Sequence, residues 1–371
     1  MKRSCAAFQV FPPLAAAIIF GAAMILFSGC YVLRQGSTML GYLDSAVPLE
    51  KIAEAEGAAE EDRLFIEKIH DIRRFASMDL GLRANKNYTK YVELPRDYLA
   101  AVVSACAKDS FTRHEWWFPV TGRVPYKGFF NEEEARGEAR ALQKKDLDVW
   151  VRRVDAFSTL GWFSDPLYSY MKNYPVLRLA DLIIHEQLHA TVFFAGASEF
   201  NENLAAFVGS EGARLYMARR YGEDSEEYAA MKNQKADSAS YISFLQGLAA
   251  ELEALYKGPS SREEKLREKE NVIEAAKARF EENYDTLFKS DAFRGFIQLP
   301  VNNAYLDLFR LYYAKDSWLE DFYRRSGRDL KKFIAAAKTI KKAGGDYKSQ
   351  LEKALGLAAD AEIPVRNRDG Q

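Results

Sequence analysis

The feature that most limits this chain is a pair of histidines four residues apart inside an apolar segment. Residues 179–196 read LADLIIHEQLHATVFFAG and contain His185-Glu186-Gln187-Leu188-His189. On an α-helix, positions i and i+4 share a face, so both imidazoles can reach one metal ion. Glu186 stands beside the first histidine and projects next to the metal, where a base for a metal-activated water is needed. Leu182, Ile184 and Leu188 make the rest of the segment apolar, so the helix can be buried, and Gly196 reads as its C-terminal stop. Only four histidines occur in 371 residues, His70 and His114 being the others. A chance pairing at this spacing is therefore rare.

A catalytic zinc takes three protein ligands and keeps a fourth position open. No third histidine follows, so a carboxylate is expected from the next predicted helix, FNENLAAFVGSEGARLYMARR (200–220). Glu202 and Glu211 are nine residues apart there and face opposite sides of a helix. Glu199 lies just before it. Small Ala205 and Ala206 favour Glu202, because they let the two helices approach, while Glu211 reads as a surface position. Asp181, one turn before His185, is a candidate to orient that imidazole. A developing oxyanion needs a donor beyond the metal; Tyr305 and Asn303 are candidates for that role or for substrate contact. STLGWFSDP (158–166) is a candidate edge strand for aligning an extended peptide. The expected chemistry is amide hydrolysis, with zinc lowering the pKa of its water and Glu186 moving the proton to the leaving amine.

The N-terminus reads as an address. Met1-Lys2-Arg3 is basic, and residues 14–27 run LAAAIIFGAAMILF without a charged or hydrogen-bonding side chain. That length suits a secretory segment and is short for a membrane span. The LFSGC stretch ending at Cys30 resembles the lipobox of bacterial lipoprotein signal peptides, with Phe27 where Leu is usual. The resemblance implies cleavage before Cys30, a lipid on Cys30, and a body held on a membrane of the bacterial cell envelope, facing the periplasm or exterior. The alternative is an uncleaved signal anchor from Val10 to Gly29. Fifty-two Lys+Arg against 53 Asp+Glu exclude the basic surplus that a nucleic-acid binder needs. Cys106, within LAAVVSACA, is expected in the core.

Residues 30–62 read as a lipid-anchored tether and an early helix, and 63–90 look helical. Residues 115–130 read as strands and turns, 131–146 as a helix and 148–158 as an alternating strand. Together these predict a small mixed sheet with a helix on one face. From Pro175 the pattern is helical. Residues 223–293 read as two long surface helices joined near 258–261, and the more apolar 296–313 returns to the core. The expected fold class is α+β, mainly α: a small mixed β-sheet packed on a zincin-type active-site helix, with a helical C-terminal half. After the 1–29 signal peptide and the 30–62 tether, residues 63–371 are expected to form one catalytic domain. Its sheet lies in 91–173, its metal-binding helices in 174–220 and its helical C-terminal part in 221–371.

A wider resemblance rests on particular residues. They are the lipobox, Tyr31…Gln35-Gly36, Leu80-Gly81-Leu82, Phe118-Pro119-Val120 and Gly122…Tyr126-Lys127-Gly128-Phe129-Phe130. STLGWFSDP, HEQLH, FNENLAAFV and Asn302-Asn303-Ala304 complete the set. Together they resemble a family of bacterial lipoproteins catalogued as zinc-dependent aminopeptidases, of the gluzincin-like kind in which HExxH is joined by a Glu. The resemblance covers nearly all of the chain after Cys30. It implies one zinc ion as cofactor, a peptide as substrate, and Glu202 of the FNE element as the third ligand. Family members often carry Cys where this chain has Arg123, so no disulfide to Cys106 is expected. The Gly-x-Met-Glu-Asn element of one large aminopeptidase family is absent. A preference for a free amino terminus therefore rests on the family label, with Glu199 or Asp165 as available carboxylates. Two other readings stay open. One is an envelope scaffold or binding lipoprotein that retains a metal site, against which the intact Glu186 speaks. The other is a zinc hydrolase of non-peptide or cell-wall amides.

Overall fold

Helices make up most of the protein, and small sheets flank the central one. The computed structural model describes residues 31–357 apart from 58, 119–121, 156–163, 313–316 and 342–344. The expected signal peptide, Cys30 and most of the 158–166 segment lie outside the described residues. The fold class is the expected one, α+β and mainly α.

The single mixed sheet read from the pattern is, among the described residues, three small sheets. In the first, β1 (Val47–Pro48) runs antiparallel to β2 (Lys90–Val92), which runs parallel to β8 (Leu167–Tyr168). In the second, β3 (Ala100–Ala107) lies between antiparallel partners β6 (Lys127–Phe129) and β7 (Leu147–Val154). The third is a hairpin of β4 (Trp116–Phe118) and β5 (Gly122–Val124). The sheets stay separate because β3 has both edges occupied by β6 and β7. Its faces are covered as well, by α4 (Glu132–Gln143) and α10 (Asn303–Tyr312). A strand covered on every side reads as an unbroken apolar run, which is why LAAVVSACA carries no alternation and Cys106 is fully buried. On the outer hairpin, Arg123 pairs with Glu115 at 3.5 Å.

Within the stretch read as a tether and an early helix, residues 31–44 form a helix, α1, and α2 (Leu49–Ala53) follows. The next helix, α3 (Glu60–Met78), is shorter than the 63–90 expected. Beyond Met78 the chain turns, with Gly81 at φ +70°. The N–H groups of Leu80 and Leu82 bond back to Phe75 O and Ala76 O, closing the helix end.

The central helix is α5 (Val176–Thr191), packed between α3 and α6 (Ser198–Tyr221). Its Leu179, Ala180, Ile183, Ile184 and Leu188 are at most 1% exposed. Burial of the large ones is worth roughly 1.5–3 kcal/mol apiece, which outweighs the absence of a side-chain N-cap, a deficit of about 1 kcal/mol. The helix stops at Thr191, earlier than expected. Gly196 instead takes φ +76° in the loop to α6.

The long pair, α7 (Glu226–Lys257) and α8 (Arg262–Glu282), is joined at Gly258-Pro259-Ser260-Ser261 as expected. Ser225 caps the first, and Ser261 with Glu264 forms a capping box on the second. With the short α9 (Tyr284–Leu287) and α10 they build a second core around Leu245, Leu252, Phe280, Phe296 and Leu306. The first core holds α3, α5, α6 and the later α11 (Ser317–Arg325) and α12 (Leu330–Thr339).

A buried polar joint ties the second sheet to these helices. Lys269 (2% exposed) pairs with Asp148, which also accepts from Asn303 N at 2.9 Å. The Asn303 amide donates to the carbonyls of Ala107, Lys108 and Ser110, and Tyr256 donates to its oxygen at 2.8 Å. Removing one member of a buried pair strands the other charge. Lys269→Ala should therefore lower unfolding stability in urea by about 3–5 kcal/mol while leaving metal affinity unchanged.

Candidate metal centre

Helix α6 lies close against α5 because it carries glycine where the two cross. A Cβ on Gly209 would stand 2.5 Å from Asp181 Oδ1 and 3.1 Å from His185 Cβ. One on Gly212 would stand 2.9 Å from Ile184 Cγ2 and 3.0 Å from Leu80 Cδ1. Ala205, fully buried, continues this strip, whereas Ala206 is exposed. Glu202 precedes Gly209 by seven residues, about two turns, and so shares its face. The connecting loop is closed by Asn201, itself buried. Its oxygen accepts from Phe194 N at 2.9 Å and its amide donates to Phe194 O at 2.8 Å.

This packing brings three expected ligands together. Nε2 of His185 and Nε2 of His189 are 3.1 Å apart. The Glu202 carboxylate is 3.7 Å from the first and 3.5 Å from the second. One donor atom from each lies within 4.8 Å of the others. With metal–ligand bonds of about 2.0–2.1 Å, ligand atoms in a tetrahedral zinc site stand about 3.3 Å apart. The donor set fits one such ion with a position to spare. The Glu202 side chain is 63% exposed, so the open side faces solvent.

Burial and neighbouring charge set the protonation of these groups. Burial lowers the pKa of His185, but the carboxylates of Glu202, Glu186 and Asp181 outweigh it and leave it raised. Burial and then the adjacent His185 hold His189 below the ordinary histidine value. The proximity of His185 keeps Glu202 low against the opposing effect of burial. Burial lifts the Glu186 carboxyl above its usual range, with Glu202 adding to it and His185 opposing. Asp181 is likewise raised by burial, with His185 and Lys235 opposing. It sits in the α5–α6 crossing one turn before His185, and its charge acts on that imidazole.

The other expected residues lie elsewhere or play other parts. Glu211 is 8% exposed and not on the surface. Arg214 Nη2 holds it at 2.7 Å and Tyr323 OH donates to it at 3.1 Å, bracing α6 against α11. Glu199 is exposed at the start of α6. Asn303 and Tyr305 are not brought to the histidines. Asn303 belongs to the polar joint, and Tyr305 bonds Tyr241 OH and packs on Trp150 at 4.6 Å in the second core. Asp165 lies beside Tyr88, whose N–H donates to its carbonyl at 2.7 Å.

Tyr88 itself escaped the sequence reading. It is 3% exposed and left-handed, with φ +57°, a conformation that is uncommon for a bulky residue and clusters at functional sites. Burial pushes its hydroxyl pKa well above the ordinary value, and the charges of Glu186 and Asp165 add to this. Among the described residues its hydroxyl has no hydrogen-bond partner. Nothing in Asn87-Tyr88-Thr89 marks it locally. Gly209 and Gly212 were also missed, although their i, i+3 spacing, four and seven residues beyond Ala205, was a readable sign of close helix approach.

Over residues 30–351 the chain matches the family model described as "Putative aminopeptidase". The chain belongs to this family. No curated protein and no solved structure matches it. Membership of the aminopeptidase family supports a peptidase-type function, and α5, α6 and their ligand set all fall within the matched residues. Gly209→Ala should push α6 away from His185 and carry Glu202 with it. Metal affinity, read by chelator competition, should fall by about 10–100-fold, while Ser210→Ala on the exposed face should leave it unchanged.

Proposed function

We propose that the protein is a membrane-anchored, zinc-dependent aminopeptidase of the cell envelope. The observation that carries this reading is the meeting of His185, His189 and Glu202 in one donor set, beside Glu186, in a chain of the aminopeptidase family. When bound there, zinc supplies a Lewis acid that brings the pKa of a water towards neutrality.

The chain's own residues do the rest. Glu186, its carboxyl lifted by burial, accepts a proton from the attacking water and delivers it to the leaving nitrogen. Tyr88 keeps its proton, lies under the charge of Glu186, and donates to the oxyanion that forms on the scissile carbonyl oxygen. Its backbone is held left-handed by the bond to Asp165 O and by Asn87 Oδ1, which accepts from Asp165 N at 3.3 Å. Asp165, whose charge also acts on the Tyr88 hydroxyl, is, with Glu199, a candidate to hold the α-amine of a substrate. Among the described residues no helix is long and apolar enough to cross a membrane. A lipid on Cys30 is the anchor in this reading.

Metal analysis combined with hydrolysis of aminoacyl reporters and internally quenched peptides tests the assignment. Glu186→Gln should keep zinc and lose activity by about 10²–10⁴-fold; full retained activity overturns the mechanism. Glu202→Ala should lose stoichiometric zinc while Glu211→Ala keeps it, and the reverse pattern moves the third ligand. Tyr88→Phe should lower kcat by about 10²–10³-fold with zinc content intact. An unchanged kcat removes Tyr88 from the chemistry.

A further inference from the structure

The segment 79–89 runs from the end of α3 past the last turn of α5 to Tyr88. It is tied to α5 where Arg83 N donates to Thr191 Oγ1 at 2.8 Å, and Thr191 Oγ1 donates in turn to Gln187 O at 2.6 Å. On α3, Arg73 and Ser77 are four residues apart and share a face. Ser77 Oγ accepts from the Gln187 amide at 3.3 Å, so this face of α3 touches the residue next to Glu186. Arg73 reaches the segment itself: Nη1 donates to Asn87 O, and Nη2 donates to Asn85 O at 2.8 Å.

The Asn87–Tyr88 peptide group is thereby held at both ends. Its carbonyl accepts from Arg73, and its N–H donates to Asp165 O at 2.7 Å. Bonds to an ionised donor are the stronger kind, and hydrogen bonds in series polarise one another. The residues on either side are fastened as well. Asn87 N donates to Asn85 Oδ1 at 3.1 Å, and Thr89 O accepts from Leu49 N at 3.1 Å. With the peptide planar and its flanks fixed, ψ of Asn87 and φ of Tyr88 have little freedom. The left-handed φ of +57° at Tyr88 is a backbone that persists only where its surroundings over-determine it. Arg73 is part-buried and, among the described residues, forms no ion pair; its guanidinium serves these two carbonyls. A planar fork holds two acceptors in a fixed relation, which a single ammonium does not.

We propose that Arg73 is a positioning residue for the hydrolysis: through the carbonyls of Asn85 and Asn87 it fixes the turn that presents Tyr88 to the oxyanion. The inference rests on the reading of Tyr88 as the oxyanion donor. Arg73 acts through the turn and not on the reacting atoms, and its effect is one of placement. A misplacement of about 1 Å at a reacting centre costs about 10²-fold in rate.

The test is a double-mutant cycle on the zinc-loaded enzyme with aminoacyl reporters. Arg73→Met should lower kcat by about 10²-fold with KM and zinc content unchanged. Arg73→Lys, which keeps one donor bond, should lose about tenfold, and it carries the same cycle if Arg73→Met does not fold. In a Tyr88→Phe background neither substitution should lower kcat further, because the group they position is gone. A second readout needs no turnover. In metal-free protein labelled with fluorotyrosine, the fluorine resonance missing from Tyr88→Phe belongs to Tyr88, and the Arg73 substitutions should move it towards the exposed tyrosines. An unchanged kcat in Tyr88→Phe overturns the oxyanion donor and this inference with it. A slow Tyr88→Phe, with Arg73 variants that keep both kcat and the Tyr88 resonance, overturns the inference alone. A loss that recurs in full in the Tyr88→Phe background assigns Arg73 to the fold in general and overturns the inference as well.

Discussion

The crossing of α5 and α6 is the contact on which the site depends. Two helices with ordinary side chains at their crossing keep their axes about 8–10 Å apart. Here Gly209 and Gly212 remove the intervening atoms, and backbone approaches side chain directly. Glycine inside a helix costs about 0.5–1 kcal/mol per position, and the buried apolar face of α5 more than offsets it. What this cost secures is placement: Glu202, two turns before Gly209, reaches imidazoles on the neighbouring helix. Asp181 is drawn into the same crossing, which puts a carboxylate behind His185.

The electrostatics follow from that crowding. Two imidazoles 3.1 Å apart cannot comfortably carry two protons, since like charges in a partly buried site oppose each other. The cluster divides the burden unequally: His185, under the combined charges of Glu202, Glu186 and Asp181, is raised, whereas burial and His185 itself hold His189 low. A metal would compete with protons for these nitrogens, so its binding would be coupled to proton release.

The ligand helix was the most legible part of the sequence, because HEQLH and its apolar flanks encode spacing and burial in one stretch. The α7–α8 pair was equally plain, since Ser225, Ser261 and Glu264 are local caps and Gly258-Pro259 is a local break. Sheet arrangement was not legible. A strand such as β3, enclosed by β6, β7, α4 and α10, loses the alternation that reveals which way a strand faces. Glu211 reads as a surface glutamate because nothing adjacent announces Tyr323, more than a hundred residues away. Asn302-Asn303 and Tyr31…Gln35 stood out as motifs, and their work is joinery: one fastens the second sheet to α10, the other fastens α1 to that sheet. Tyr88 depends on the distant Asp165 for its backbone shape, so no window around it could disclose it.

The Asn201–Phe194 clasp has a consequence for how the site comes into being. All three donors fall within residues 185–202, and the clasp spans only seven positions. Closing so short a loop costs little chain entropy, and that cost rises only slowly with length. Contacts so near in sequence form readily during folding. The donor set is therefore the property of one helical hairpin, assembled from neighbours along the chain. The long helices and the sheets around it can vary in length and sequence without displacing a ligand, provided the strip facing α5 keeps its small residues.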